Sequence, residues 1–428
     1  MQKKQTKKIV VYSHDTFGLG NVRRMLAITE HLLDTIPDLS ILLISGSPMI
    51  HSFRLPGNRF DYLKLPTIGR TLSGEYIAKK LETNFDELVA VRSQIIQAAI
   101  SNFCPDVMIV DKKPRGIADE LQPTLELIHK DMPLTKVVLL LRDILDDPKV
   151  THRIWLKNNY FQSINRYYDS ILVMGSQKVF DLSREYHFPE NIAKKVTYCG
   201  YINRSHIVAE TNKPELSSKF NQTDVLVTVG GGEDGLFPLK CFLKGLALKN
   251  TYKAFSTTII TGPEMSKLHR DEIQHMADSF TNVRVLDFVA ELPAHIFASE
   301  LIVSMGGYNT VVEILAMNKP VIIIPRVKPV LEQLIRATRM EKMGLLQCIH
   351  PDEVSPELLM QAVTSQLETR QKKLNATEII DFDGLGTATR TIEKMMVYDS
   401  EKIVKQIWTK KTLKPAKNLE VKTCSAFL

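Results

Sequence analysis

The stretch from Ser304 to Gln333, SMGGYNTVVEILAMNKPVIIIPRVKPVLEQ, holds the groups best suited to grip a charged ligand. Gly306 and Gly307 follow the apolar run Leu301-Ile302-Val303, which reads as a buried strand. Asn309 or Thr310 is expected to cap a helix carrying Val311, Val312, Ile314 and Leu315, closed by Pro320. Val321 to Ile324 is then a second continuous apolar strand. Strand, glycine turn, helix and strand make a βαβ unit whose helix N-terminus faces the carboxyl edge of a sheet. Free backbone N–H groups and the positive helix end at that edge suit a phosphate. Glu313, one turn inside the helix, is placed to accept hydrogen bonds from two vicinal ribose hydroxyls.

Two more glycine turns repeat the arrangement. Asp224 to Val229 runs into Gly230-Gly231-Gly232, which allows close backbone approach to a phosphate or sugar. Lys8 to Ser13 runs into HDTFGLGN, with Gly18 and Gly20 ahead of a helix that begins near Val22. That loop is an incomplete dinucleotide fingerprint, because position 23 is Arg rather than Gly, and a nicotinamide cofactor is disfavoured.

These turns must be positioned by a doubly wound sheet. Strands are expected at Ser40–Ile44, Asp106–Val110, Lys136–Leu141, Ser170–Met174 and Val196–Cys199, with helices at Asn84–Phe103 and Arg115–His129. A second series restarts at Asp224–Val229, Ser256–Ile260, Val283–Leu286, Leu301–Val303 and Val321–Ile324. Between them the polar segment after Tyr201 reads as a linker. The division is 1–205, linker 206–223, 224–384, a last amphipathic segment 385–398, and a tail 399–428. Ligands in such sheets bind beyond the carboxyl ends of strands, which singles out His14, Asp15, Asp111, Arg142, Asp143, Gly175 and Ser176. Asp143, Asp146 and Asp147 lack a companion histidine, so a metal is disfavoured, and Asp147-Pro148 reads as a helix N-cap. Between Phe53 and Arg70, basic and apolar residues interleave with poor periodicity, the pattern of an ordinary amphipathic strand and loop.

At 428 residues, 44% hydrophobic and 24% charged, the chain has the composition of a soluble two-domain protein. The net charge of +7 belongs to the ends, which carry +4 before residue 9 and +5 from residue 400 onward, leaving the body near −2. A nucleic-acid partner is disfavoured on that distribution. Weak attraction of the tails to anionic lipid stays open. Apolar runs such as Val137–Leu141 are far short of a bilayer span, and the start shows no signal-peptide pattern. With five scattered cysteines, a reduced cytoplasmic location is expected, extending to the inner face of the membrane.

The second half resembles the C-terminal domain of family 28 glycosyltransferases, through VTVGGGEDG (228–235), DFVAELP (287–293), SMGGYNTVVEIL (304–315) and PRVKPVLEQLIRA (325–337). YSHDTFGLGNVRR (12–24) extends the likeness to the first half. The body from about 8 to 396 is similar to a bacterial group of predicted glycosyltransferases that also carries segments like RDILDDP (142–148). The resemblance implies the GT-B fold, two Rossmann-like α/β domains facing across a cleft that holds a nucleotide-sugar donor and an acceptor. Carried over, Gly230 to Gly232 and Gly306 to Thr310, with Asn309 among them, would hold the diphosphate, approached by Gly18 to Gly20 from the other domain. Glu313 would bind the ribose, Phe288 and Val289 would contact the base, usually uracil, and Glu332 and Gln333 would bind the donor sugar. The last helix would cross back to the first domain. Amides, helix dipoles and a basic residue can stabilise the leaving diphosphate, so neither metal nor cofactor is expected beside the UDP-sugar and a hydroxyl acceptor that the resemblance implies.

One departure concerns the base. Members of the family commonly carry His where this chain has Asn21, and an amide cannot deprotonate an acceptor hydroxyl. Asp111 is the first replacement, then Asp15, with His14 at the same edge; the competing readings pair Asp111 with Lys112 or Arg115 and make Asp15 the cap of its turn. The leading expectation is inverting, metal-independent sugar transfer. The alternatives are a nonhydrolysing nucleotide-sugar epimerase, against which Tyr308-Asn309-Thr310 stands where that class has acidic residues, and a donor-binding protein without catalysis.

Overall fold

A computed structural model describes residues 6–14, 20–52, 55–71, 75–203, 223–248, 255–289, 291–369 and 375–396. Asp15, Gly18, most of the linker and the basic tail lie outside the described residues. Fully buried apolar runs build the first sheet, as in Val107–Asp111 and Ser170–Met174, where every residue is buried. Runs apolar on both faces are what a parallel sheet covered on both sides demands. Its strands in chain order are β1 (Lys7–Ser13), β2 (Leu39–Ser45), β3 (Phe60–Lys64), β6 (Val107–Asp111), β7 (Lys136–Arg142), β8 (Ser170–Met174) and β9 (Val196–Tyr198). Two short strands, β4 (Ile68–Arg70) and β5 (Tyr76–Ala78), form a separate antiparallel hairpin.

The spatial order is β3-β2-β1-β6-β7-β8-β9, all parallel. The second sheet repeats the pattern with β10 (Thr223–Thr228), β11 (Thr257–Ile260), β12 (Val283–Leu286), β13 (Ser299–Ser304), β14 (Val321–Ile323) and β15 (Gln347–Cys348), ordered β12-β11-β10-β13-β14-β15. Each sheet reverses its winding once, between β1 and β6 and between β10 and β13, and such a switch point opens a crevice at the carboxyl edge.

Two expectations need correction. Phe60–Lys64 is the edge strand of the first sheet, and the hairpin follows at once, so the interleaved stretch carries two strands. The helix expected over Arg115–His129 begins only at Gln122, because Gly116, Ala118 and Asp119 adopt positive φ and hold a single tight turn, and Pro123 then opens the helix.

The two units meet along one apolar seam. Ile302, Tyr308, Val311 and Leu385 share a continuous core with Val22, Met25, Ile28 and Tyr201 of the first unit. The final helix, Gly384–Met395, lies on the helix Gly20–Thr35, with His31 Nδ1 2.9 Å from Thr389 Oγ1. Among the described residues, no helix is long and apolar enough to cross a membrane.

Candidate functional site

Thr228 at the end of β10 is paired in register with Ser304 at the end of β13, so the turns that follow lie side by side at the switch point of the second sheet. Gly230, Gly232 and Gly306 take φ of 67, 96 and 83°, which closes the turns without a side-chain clash. Gly230, Gly231, Gly232, Gly307, Thr310 and Gln333 wall one cavity there, joined by Glu233, Asp234, Glu264 and Arg326. The sequence reading had singled out the first six and missed the last four.

The helix begins at Tyr308, with Gly307 as N-cap and no side-chain cap. This overturns the expectation that Asn309 or Thr310 caps it: both lie inside the first turn. The first amides are therefore left for a ligand. Gly307 itself has an ordinary φ of −57°, and a Cβ there would meet nothing within 4 Å. The fold itself has no steric need for glycine at that point.

Of the other donor-site candidates, Gly306, Phe288, Val289, Asn309, Glu313 and Glu332 are not on the wall of this cavity. Phe288 and Val289 follow β12 at the sheet edge, and Phe288 leaves 55% of its surface exposed. Glu313 sits one turn further into the helix, 4% exposed and off the cavity wall. Gln333 Oε1 accepts from the Arg326 amide at 3.0 Å, which leaves its Nε2 to donate toward the cavity. The Arg326 guanidinium lies 3.4 Å from Asp234.

Glu332 has a neighbourhood the sequence did not disclose. Arg336, one helical turn on and fully buried, donates from Nη2 to Glu332 Oε2 at 2.7 Å. The same guanidinium grips Asp143 of the first unit through Nε (2.7 Å) and Nη2 (3.0 Å), and Nη1 donates to Gly306 O at 3.1 Å. Arg142 lies 3.6 Å from Glu332. The strand-end rule had marked Arg142 and Asp143, and the spacing of Glu332 and Arg336 was the other available signal. Asp146 and Asp147 are engaged as well: Asp146 accepts from Leu331 N at 2.9 Å, and Asp147 caps its helix through Lys149 N and Val150 N.

Burial alone would push the Glu332 carboxyl up, but Arg142 and Arg336 outweigh it and hold it at about 2, against an ordinary 4.5. A carboxylate depressed in the folded state adds stability above its unfolded value that is lost as pH falls through the folded one. The window is pH 4.5 down to 2, and the shift corresponds to on the order of 3 kcal/mol. Urea unfolding followed across that window is therefore expected to be steeper in pH for the wild type than for Glu332→Gln; parallel curves would remove this carboxylate from the acid limb.

At the first sheet's switch point, Asp111 ends β6 and is fully buried. Its partner is Arg24, 2.6 Å from Oδ1, in place of the Lys112 or Arg115 pairing considered from sequence; Arg115 pairs with Asp119 at 3.0 Å. Asp111 Oδ2 accepts no hydrogen bond among the described residues. Arg24 also reaches Asn21 Oδ1 at 3.2 Å, and Asn21 Nδ2 donates to His14 O at 2.9 Å. Asn21 thus ties the buried His14 to the Arg24–Asp111 pair. Beside them, burial and then Arg142 lower the Lys112 ammonium to about 8.

Residues 225–383 match the family model for the glycosyltransferase family 28 C-terminal domain. The UDP-N-acetylglucosamine--N-acetylmuramyl-(pentapeptide) pyrophosphoryl-undecaprenol N-acetylglucosamine transferase of Exiguobacterium sp. is 22% identical over 85% of this chain and 92% of its own length. Acinetobacter baumannii MurG superposes with a TM-score of 0.58 at 13% identity, over 91% of this chain and 99% of its own. The UDP-GlcNAc 2-epimerase of Neisseria meningitidis gives 0.61 at 14% identity, over 91% and 99%. Two parallel sheets with paired glycine turns at the switch point therefore define a GT-B protein. Within that class the chain is a family 28-like glycosyltransferase, acting by nucleotide-sugar transfer.

Proposed function

We propose that the chain moves a hexosyl group from a UDP-sugar to an acceptor hydroxyl, with inversion and without a metal ion. The observation that carries this reading is the uncapped helix end at Gly307, open beside the Gly230–Gly232 turn and walled by Arg326. The name of the Exiguobacterium relative gives its donor as UDP-N-acetylglucosamine, which supports uracil as the base here. In this reading the diphosphate rests on the Gly307 and Gly230–Gly232 turns, Phe288 and Val289 flank the base, Glu313 meets the ribose, and Glu332 and Gln333 meet the sugar. The acceptor oxygen forms its bond to the anomeric carbon on the face opposite UDP. The bond from that carbon to the diphosphate oxygen breaks, and the acceptor proton passes to Asp111 Oδ2. Amides at the helix end and the Arg326 guanidinium receive the charge that develops on the diphosphate, the role a metal plays elsewhere.

Calorimetric titration with UDP, GDP, dTDP and ADP tests the donor site. Selective binding of UDP, weakened about tenfold in Glu313→Ala, is the expected result. No binding to any of the four by folded protein would overturn the reading. The epimerase alternative is favoured only by a shared fold, and incubating the UDP-sugar without acceptor separates the two: an epimerase interconverts the sugar, whereas a transferase leaves its configuration unchanged. Transfer in the presence of EDTA, with the anomeric configuration of the product read by NMR, tests the metal and the stereochemistry.

A further inference from the structure

Arg336 connects three parts of the molecule through one buried guanidinium. It holds Asp143 bidentately, at 2.7 and 3.0 Å, from the carboxyl end of the first sheet. It holds Glu332, the residue assigned above to the donor sugar, at 2.7 Å. It also donates to Gly306 O at 3.1 Å, in the turn beside the diphosphate cavity. A fully buried cation recovers its desolvation cost only with good geometry and satisfied donors, so this arrangement is sharply defined. Arg336 and Arg142 both approach the same oxygen of Glu332, Oε2. No described residue donates a hydrogen bond to Oε1. The same seam is closed by the Tyr308 hydroxyl donating to Met174 O at 2.9 Å and the Tyr201 hydroxyl 3.3 Å from Asp143 Oδ2.

We propose that Arg336 is a positioning residue for the donor sugar: it presents Glu332 Oε1 to a sugar hydroxyl, and does so when Asp143 closes on it from the facing domain. The inference rests on the donor reading above. Sugar recognition is then conditional on domain closure, whereas UDP alone, which meets the glycine turns and not Glu332, binds without it. An ion pair that merely staples the domains predicts something different: its loss weakens every ligand of the cleft alike.

Titration of wild type, Arg336→Lys, Asp143→Asn and Glu332→Gln with UDP and with UDP-N-acetylglucosamine, UDP-glucose and UDP-galactose separates the two. Lys keeps the charge but has no fork to hold two carboxylates, and Asn keeps the shape of Asp143. UDP affinity is expected to stay within about twofold of wild type in every variant, since Arg336 does not touch the nucleotide. The extra affinity for the preferred UDP-sugar is expected to fall about tenfold in each variant. Adding Arg336→Lys to Glu332→Gln should cost nothing more, because the arginine acts through that carboxylate. Equal losses for UDP and UDP-sugar, or an unchanged sugar preference, would overturn the proposal, as would a wild type that binds UDP but distinguishes no sugar. A wild type that binds neither UDP nor any UDP-sugar removes the donor reading and this inference together. Should Arg336→Lys fail to fold, Asp143→Asn decides the question by the same comparison.

Discussion

Gly307→Ala is expected to leave the fold intact and to weaken UDP binding about a hundredfold. The substituted methyl would meet no protein atom within 4 Å, and φ of −57° suits alanine as well as glycine. Exchanging glycine for alanine at an N-cap costs within about 1 kcal/mol. A methyl in that space stands where, in the proposed donor reading, the diphosphate approaches the first amides of the Tyr308–Ala316 helix. Losing two charge-assisted hydrogen bonds corresponds to about 3 kcal/mol, or about a hundredfold in affinity. Gly306→Ala, one residue earlier, should do the reverse in order of cause. There φ is 83° and a Cβ would lie 2.7 Å from Ile323 Cγ2, so the change strikes the fold first. The conformational term alone is about 1–2 kcal/mol. Urea midpoints and UDP titrations on the two variants check the contrast. A Gly307→Ala protein that binds UDP as the wild type does would place the diphosphate elsewhere.

The contrast also shows which parts of the site were legible in the sequence. A positive-φ turn between a buried strand and a helix leaves a mark, since glycine is the residue that takes it cheaply, and Gly230, Gly232 and Gly306 were marked by that rule. The cap was misplaced for a related reason. Capping preferences favour side chains such as Asn309 and Thr310, whereas an anion site is built by having no side chain at the cap. Strands buried on both faces, such as Lys136–Arg142, were visible as apolar runs, but the half-exposed edge strand Phe60–Lys64 and the short strand Ile68–Arg70 were legible only as one amphipathic strand and a loop. Pairings across the chain left no local mark at all. Arg336 and Asp143 are 193 positions apart, and Arg24 and Asp111 are 87 apart, so the strand-end rule marked the two aspartates but could not name their arginine partners. Only the half of the first cluster within one helix, Glu332 and Arg336, had a readable spacing.

Asp111→Asn is expected to lower kcat by about 10² to 10⁴-fold, the span a general base contributes, with UDP affinity nearly unchanged. The second half of the expectation follows from position: Asp111 ends a strand of the first sheet, and the cavity proposed for the diphosphate is walled by the second. The first follows from which atom is engaged. Arg24 occupies Oδ1 at 2.6 Å, and Oδ2 accepts nothing among the described residues, so Oδ2 is the oxygen left for an acceptor proton. Asparagine can present either an oxygen without charge or an amide that donates, and neither takes up a proton. The substitution has a second consequence that must be separated from the first. It leaves the buried Arg24 without its counter-charge, and breaking one side of a buried pair costs roughly 3–5 kcal/mol. The double variant Arg24→Gln/Asp111→Asn removes both charges and restores the balance. If it regains the stability of the wild type while kcat stays low, the carboxylate acts on the acceptor. If it regains kcat together with stability, Asp111 serves to neutralise Arg24, and the proton must leave through another group at that edge, such as His14, whose carbonyl accepts from Asn21.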